Sequence, residues 1–349
     1  MSPHPYPQPH PSPQKLRPVV LLGPTAGGKS RLALDLARAL PGGGQIIGAD
    51  SMQVYTELNT GTAKPTPTDR RAVPHHLIDL VPPDQPFTVH DWLGRAHTAI
   101  ADIQAQGQTP IIVGGTNLYL KALLEGLFDG PPRDPAFRAT LKPFTPQQLH
   151  SRLQSLDPVA ADRIAPADRQ RLTRALEVHH LTGAPISQLQ TQWSEKPDAR
   201  RPTPYALLGL NWPAEAINPR INRRVKAMFF PDKVEPELAA EVCFTDESLP
   251  DEVRRLLDQD TLGPHTPQAN EALGYKQLLA HLAPDRYPDR QIKTLNDAFE
   301  RTKVLTRRFA KQQRTWLKRF REVHWLDAAE MSAEQACESA LDHVCKMLP

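Results

Sequence analysis

The feature that most constrains the fold of this chain is a glycine-rich segment between a short apolar run and an amphipathic stretch. This glycine loop reads Gly23-Pro24-Thr25-Ala26-Gly27-Gly28-Lys29-Ser30 and directly follows Val19-Val20-Leu21-Leu22. It matches the pattern G-x-x-x-x-G-K-[ST] in the strand-to-helix context that the pattern requires. Backbone N–H groups of such a loop, with the N-terminus of the next helix, can hold a di- or triphosphate. We expect Lys29 to supply a cation there and the Ser30 hydroxyl to bind Mg²⁺.

Strand-like and helix-like segments alternate after the glycine loop. One apolar run ends at Asp50, and a second, residues 109–113, opens onto Gly114. Continuous apolar strands separated by helices predict an α/β fold: a P-loop NTPase-like parallel sheet with helices on both faces. The loops that begin near Gly23, Asp50 and Gly114 should therefore meet beyond the carboxyl ends of the strands, where such sheets bind ligands.

The domain organisation follows from changes in composition along the chain. Residues 1–14 alternate proline with polar residues and predict a disordered tail. Helix signals without strand signals predict a helical domain at 131–203 that is inserted into the core, with a helix start at Thr145. The core domain comprises 15–130 and 204–326, reads as helical from Asn218 onward, and is followed by a helical tail at 327–349.

Composition excludes several classes of protein. No apolar run approaches the length of a membrane span, and the first residues lack the apolar stretch of a signal peptide. The three cysteines fit neither a disulfide framework nor a zinc site. We therefore expect a cytoplasmic monomer with no membrane contact. Residues 299–321 contain nine Lys or Arg and one acid, which indicates a polyanionic partner or, alternatively, a solvated charged face.

The glycine loop alone leaves the reaction open. A nucleotide triphosphatase needs a second apolar strand that ends in an acid to hold the magnesium shell. The strand at 111–113 instead runs into Gly114-Gly115-Thr116, so Asp50 is the alternative acid. Asp50 could equally cap a turn or helix. A small-molecule kinase that uses ATP and a non-enzymatic, nucleotide-gated RNA-binding module are both compatible with these features.

Longer motifs resemble one family, the bacterial tRNA dimethylallyltransferases, also called tRNA isopentenyltransferases. The resemblance runs in order from about Pro18 to Leu326. The matching segments are residues 23–30, 50–55, 59–65, 74–79, 114–119, 170–178, 273–276 and 307–316. One departure is an apparent insertion at 229–250, beside the arginines of 220–224, and Gln312-Gln313 replaces a more basic family pattern.

The resemblance implies a transferase and the roles of its residues. The enzyme would move a dimethylallyl group from dimethylallyl diphosphate to N6 of the adenosine at tRNA position 37, in the anticodon stem-loop, releasing pyrophosphate with Mg²⁺ as cofactor. The glycine loop, Arg220 and Arg224 would bind the diphosphate. Thr25 and Arg224 would assist the leaving oxygen, and Asp50 would orient the amine and accept its proton. The adenine must leave the base stack to reach them.

The same resemblance implies that the helical domain at 131–203 clamps tRNA. Together with the basic pattern, it also predicts the individual tRNA contacts. Arg307, Lys311, Arg314 and Lys318 recur at helical spacing on one face. A second face with Leu305, Phe309, Trp316 and Phe320 should pack on the core. The predicted tRNA-binding residues are Asp50, Ser51, Met52, Gln53, Thr116, Arg138, Gln170, Arg171, Leu172, Thr173, Arg174, Gly274, Tyr275, Lys276, Lys311, Gln312, Gln313, Arg314, Trp316 and Lys318.

Overall fold

A single six-stranded parallel sheet organises the protein. The computed structural model describes residues 17–128, 130–190, 204–243, 247–266, 268–290, 292–320 and 322–347, so the predicted tail at 1–14 lies outside the described residues. The strand order is β3-β2-β4-β1-β5-β6 and every ladder is parallel. The strands are β1 (Val19–Leu22), β2 (Gly44–Gly48), β3 (His75–His76), β4 (Thr109–Val113), β5 (Ala206–Asn211) and β6 (His324–Asp327).

Helices cover both faces of this sheet, as the sequence predicted. Helix α1 joins β1 to β2 and α3 joins β3 to β4, and these two connections cross the sheet in opposite directions. Since such crossovers are right-handed, the two helices lie on opposite faces. Every residue of β1, β2 and β4 is buried, which explains why these strands are mostly apolar; Gln45 and Thr109 are their buried polar residues.

The described helices are α1 (Lys29–Ala39), α2 (Pro67–Ala72), α3 (Val89–Ala105), α4 (Asn117–Glu125), α5 (Pro135–Leu141), α6 (Pro146–Leu156), α7 (Pro158–Arg163), α8 (Arg169–Thr182), α9 (Ile186–Leu189), α10 (Ala214–Phe229), α11 (Pro236–Val242), α12 (Leu249–Asp258), α13 (Tyr275–Leu282), α14 (Leu295–Leu317) and α15 (Ala333–Met347). The helix start at Thr145 is confirmed. Its hydroxyl accepts the Gln148 N–H, and the Gln148 side chain bonds back, a capping box.

The prediction that the chain is helical from Asn218 onward is wrong at β6. This strand pairs in parallel with β5 at the edge of the sheet, and Leu326 is its one buried residue. A four-residue edge strand that buries one side chain has no apolar run to reveal it. Helix α15 packs against α1, β5 and β6, so the described part of the tail at 327–349 belongs to the core.

The chain divides into two compact units. The first comprises Met1–Leu120 with Thr203–Pro349 and holds the sheet, and the second is Lys121–Pro202. The described part of the second unit is helical, and its core includes Leu149, Leu153 and Leu172. Among the described residues, no helix combines the length and the apolar character that crossing a membrane would require.

Candidate active site

A cleft of about 470 Å³ lies at the carboxyl ends of β1, β2 and β4. The glycine loop forms its floor. Asp50 and Gln53 line it after β2, and Gly114 and Gly115 line it after β4. Three segments that are far apart in sequence thus meet at one edge of the sheet, as the strand pattern predicted. The remaining walls come from α1, from residues 62–65 and 75–78, and from α10, α11 and α14.

The glycine loop is closed on itself. Gly28 has a φ of +88° and forms the left-handed N-cap of α1, a conformation that favours glycine. The Lys29 Nζ donates to the Pro24 carbonyl at 2.8 Å, so this ammonium folds over the loop. Ser30 is exposed in the first turn of α1. The loop therefore presents a lysine and a helix N-terminus to the cleft.

Two buried cations make the cleft a site for an anion. Burial and, to a smaller extent, the nearby Arg224 charge lower the pKa of Lys29 to about 7, although the Asp50 charge opposes both. Burial also lowers the pKa of Arg224, against the opposing charges of Asp50 and Glu241. The Nε of Arg224 is buried and has no hydrogen-bond partner in the described part of the chain. Two cations that are costly to keep charged, one with an unused donor, favour a bound anion.

Arginines of α10 contact the middle of the glycine loop. Arg224 Nη2 donates to Thr25 Oγ1. Arg220 Nε donates to the Ala26 carbonyl at 3.1 Å, and its guanidinium lies over the Trp212 ring at 4.8 Å. Trp212 Nε1 in turn donates to the Gly27 carbonyl at 3.0 Å. The structure thus brings Thr25, Arg220 and Arg224 together, as the resemblance implied.

Asp50 holds the turn that follows β2. Its Oδ1 accepts the Met52 N–H at 2.9 Å and the Gln53 N–H at 3.3 Å, so the alternative capping role is present. The Asp50 charge also acts on Lys29 and Arg224, which places the carboxylate at the cleft. Asp50 can therefore cap the turn after β2 and face the cleft at the same time.

The turn at 50–53 is tied to its neighbours. Thr116 Oγ1 accepts the Ser51 N–H at 2.9 Å, which joins the segment after β4 to the segment after β2. Gln53 donates through Nε2 to the carbonyls of Thr62 and Ala63 at 3.0 and 3.1 Å. Of the predicted base-contacting residues, Gln53 lines the cleft, whereas Thr116 and Ser51 join the two segments behind it. Their contacts to the base stay predictions.

The predicted apolar face of α14 is wrong at Phe309, whereas Phe320, just beyond the helix, is buried as predicted and Leu305 and Trp316 are half-buried. The residues that this helix buries are Ala298, Thr302, Thr306, Ala310, Gln313 and Leu317. Phe309 is 37% exposed and lines the cleft instead. Helix α14 packs against α10 and α13, and small side chains permit that close approach. The hydroxyls of Thr302 and Thr306 bond back to carbonyls four residues earlier, at 2.7 and 2.8 Å.

The polar side chains at 307–318 include some that bond within the protein and some that are exposed to solvent. Arg307 Nη1 donates to Asn222 Oδ1 at 2.6 Å, and Arg314 Nη1 donates to the Trp212 carbonyl at 2.8 Å. Lys311, Gln312 and Lys318 are exposed. These three stay predictions as tRNA contacts, whereas the two arginines hold the fold of the core.

Trp316 is partly buried against Phe320 and a neighbouring arginine. Its ring packs edge-on to Phe320 at 5.2 Å, and the Arg319 guanidinium lies over it at the same distance. Its role as a tRNA contact stays a prediction.

Four predicted tRNA contacts are buried in this structure, and their role as tRNA contacts stays a prediction. Gln313 is 1% exposed, Leu172 and Tyr275 are 0% exposed, and Gly274 is also buried. Leu172 packs in the core of the second unit. The Tyr275 hydroxyl donates to buried Glu252, and Gly274 caps α13. These residues match a family pattern because they build the fold, which a pattern cannot distinguish from binding.

The predicted contacts in the second unit and on α13 are mostly paired within the protein. Arg138 and Arg174 both donate to buried Glu177. Arg171 forms an exposed ion pair with Asp168 at 3.4 Å. Gln170 is exposed and Thr173 is partly exposed, while Lys276 pairs with Glu271. None of these contacts excludes RNA binding, which stays a prediction for them.

Sequence reasoning missed several residues of the cleft. Leu238, Glu241 and Val242 of α11, within the insertion at 229–250, line one wall. Trp212 supports the glycine loop, and Phe309 faces the cleft from α14. The insertion signalled a change beside Arg224, but nothing local in the sequence indicated that its short helix would reach the site.

The donor groups at the cleft suit a magnesium ion that is bound mainly through a ligand's phosphates. In the described part of the chain, no cluster of three or more His, Cys, Asp or Glu could hold a metal ion by itself. The Ser30 hydroxyl and the Asp50 carboxylate are oxygen donors, which Mg²⁺ prefers, and it commonly takes one or two protein oxygens beside substrate phosphates and water.

Comparisons with known proteins agree with this site. The model of the IPP transferase family matches residues 53–320. A tRNA dimethylallyltransferase of Syntrophobacter fumaroxidans is 43% identical over 320 residues, which cover 90% of this chain and 84% of that protein. Another tRNA dimethylallyltransferase, from Geobacillus kaustophilus, is 38% identical and covers 89% and 90%.

Two solved structures are also similar. A tRNA isopentenylpyrophosphate transferase of Staphylococcus epidermidis has a TM-score of 0.61 and 31% identity, and the match covers 94% of this chain and 98% of that one. A eukaryotic dimethylallyltransferase acting on tRNA has a TM-score of 0.72 and 25% identity, covering 96% and 80%.

Proposed function

The chain belongs to the IPP transferase family, and from that premise we propose how its cleft carries out the reaction. It is a transferase that moves a dimethylallyl group to tRNA. We propose dimethylallyl diphosphate as the donor and N6 of the adenosine at tRNA position 37 as the acceptor, with N6-isopentenyladenosine and pyrophosphate as products. The observation that carries this is the convergence of Lys29, Arg224 and Thr25 on one side of a cleft with Asp50 in the same cleft.

The cationic side of the cleft would stabilise the leaving group. An allylic diphosphate ionises toward a delocalised cation as its C–O bond breaks, so negative charge grows on the departing oxygens. Lys29 and Arg224 are fixed before the ligand arrives, and fixed charges in a buried site stabilise such growing charge. Thr25 Oγ1 accepts from Arg224, which leaves its own hydrogen to donate to the oxygen that leaves with the diphosphate.

Asp50 would serve the acceptor amine. An exocyclic adenine amine is a weak nucleophile and must lose a proton as the C–N bond forms. One oxygen of Asp50 is held by two backbone N–H groups, which fix the plane of the carboxylate. The adenine would have to leave the anticodon-loop stack to enter the cleft.

Ser30 would hold a magnesium ion together with the diphosphate, while Asp50 accepts the proton of the amine. When bound, Mg²⁺ would neutralise charge on the leaving oxygens. The exposed side chains of Lys311, Gln312 and Lys318 are the proposed contacts to the tRNA backbone, whose recognition depends mainly on charge. The monomeric state and cytoplasmic location also stay proposals.

The comparisons and the site favour neither alternative function, the small-molecule kinase or the non-enzymatic RNA-binding module. The two relatives and two solved structures described above are all transferases that act on tRNA. A module without catalysis would also leave the paired Thr25 and Arg224 at the cleft without a chemical role.

The substitution Asp50→Asn tests the proposed mechanism, because Asn keeps an Oδ1 that can accept the Met52 and Gln53 N–H groups. We expect kcat for transfer to fall by about 10²- to 10⁴-fold while tRNA and pyrophosphate still bind. Asp50→Ala is the matched comparison, since it removes both the base and the cap. An Asp50→Asn enzyme with unchanged kcat would remove Asp50 from the role of base.

A further inference from the structure

Gln313 lies where α14 meets two loops of the active site. Its side chain is 1% exposed. Oε1 accepts the Thr25 N–H at 2.8 Å, and Nε2 donates to the Gly115 carbonyl at 2.9 Å. Both ends of the amide are therefore used in the fold. The amide links the glycine loop after β1 to the loop after β4.

The space for this amide depends on a glycine. A Cβ on Gly115 would lie 2.2 Å from Gln313 Nε2, far inside van der Waals contact. A side chain at 115 would therefore force the amide end of Gln313 to shift and would disturb its hydrogen bond to the Gly115 carbonyl. Gly115 and Gln313 are thus matched in shape although 198 residues separate them.

Gln313 and Arg224 together fix Thr25 from two sides. Gln313 holds the Thr25 backbone N–H, and Arg224 donates to its Oγ1. The first contact sets where the residue lies in the loop, and the second sets which way its hydroxyl can donate. Neither contact involves RNA.

We propose that Gln313 is a positioning residue for the transfer reaction: its buried amide holds the Thr25 backbone so that the Thr25 hydroxyl faces the leaving oxygen of the donor. This inference rests on the proposed function and deepens it. It replaces the earlier prediction that Gln313 contacts tRNA. In this role Gln313, which also lines the cleft, acts through Thr25.

The first test separates positioning from RNA binding. Gln313→Leu keeps the size of the side chain and removes both hydrogen bonds. We expect kcat to fall about 10- to 100-fold, as small displacements of reacting groups do, with the KM for tRNA within about twofold of wild type. Gln312→Leu makes the same change on the exposed side of α14. Because it removes a proposed tRNA contact, it should raise the KM for tRNA and leave kcat unchanged.

The second test asks whether Gln313 acts through Thr25. If it does, the double variant Thr25→Ala/Gln313→Leu should have nearly the same kcat as Thr25→Ala alone. Gln313→Asn retains the amide but is too short to reach both partners, and it takes the place of Gln313→Leu in this cycle if that variant does not fold.

Losses of kcat that multiply in the double variant would overturn the inference, and so would a Gln313→Leu enzyme in which only the KM for tRNA changes. A wild-type protein that transfers no dimethylallyl group would instead contradict the proposed function. An active wild type with an unaffected Gln313→Leu variant would contradict the inference alone.

Discussion

The helical unit contains a buried carboxylate whose removal should have a large, local effect. Glu177 of α8 is 0% exposed. It accepts hydrogen bonds from Arg138 at 2.6 and 2.8 Å, from Arg174 at 2.7 Å and from the Asp134 N–H at 2.9 Å. Glu177→Gln removes the negative charge and replaces one carboxylate oxygen by an NH₂ group, which would face the donors of the arginine guanidinium groups. The two arginines would then lose their shared partner.

The size of the effect follows from the pKa of Glu177. Burial raises this pKa, but hydrogen bonds from Arg138 and Arg174 outweigh burial and lower it from 4.5 to about 2. That difference corresponds to about 3 kcal/mol, and screening by nearby water reduces it to about 2 kcal/mol. Because the pKa is lower in the folded state, this stabilisation is present above pH 4.5 and is lost as the pH falls toward 2.

Hydrogen exchange of the α8 amides measures this contribution directly. At pH 7 we expect about 30-fold faster exchange in Glu177→Gln than in wild type, the equivalent of about 2 kcal/mol. Arg171→Gln is the matched control, because it removes an exposed ion pair of the same helix and should cost less than about 1 kcal/mol. Equal exchange in the two variants, or a difference that persists unchanged down to pH 2, would refute the reasoning.

Three further predictions concern the core unit. Gly115→Ala should lower kcat in transfer kinetics about as much as Gln313→Leu does. Its control is Gly94→Ala, since Gly94 lies in open space on α3. This variant should raise the free energy of unfolding by about 0.5–1 kcal/mol in urea titrations. Arg224→Lys should weaken pyrophosphate binding about 10-fold or more in calorimetry, since a lysine lacks the forked donors; unchanged affinity would contradict this. Lys311→Gln should reduce the slope of log K for tRNA against log salt by about 1, and an unchanged slope would exclude a phosphate contact.

The sheet and the cleft could be predicted from the sequence because their signals are local. Short runs of Val, Leu and Ile mark β1, β2 and β4, and the glycine loop has its own spacing. The parallel order then brings Gly23, Asp50 and Gly114 to one edge. Strand β6 escaped prediction because its pairing with β5, rather than its own side chains, makes it a strand.

The faces of α14 could not be predicted, since two kinds of packing compete. Spacing favoured Phe309 and Leu305 as the core side, yet α10 and α13 approach so closely that Ala310 and Thr306 fill the contact. Phe309 is left at the cleft. Gln313 looked like a polar surface residue because its two partners, Thr25 and Gly115, lie far away in sequence.

One measurement tests the central claim most directly. Wild-type protein is incubated with labelled dimethylallyl diphosphate, Mg²⁺ and tRNA whose adenosine at position 37 is unmodified, and the nucleosides are analysed after digestion, with ATP present as a competing donor in a parallel reaction. The account predicts label on N6 of that adenosine, release of pyrophosphate and no consumption of ATP. No transfer of label, with ATP instead consumed against a small acceptor, would contradict it.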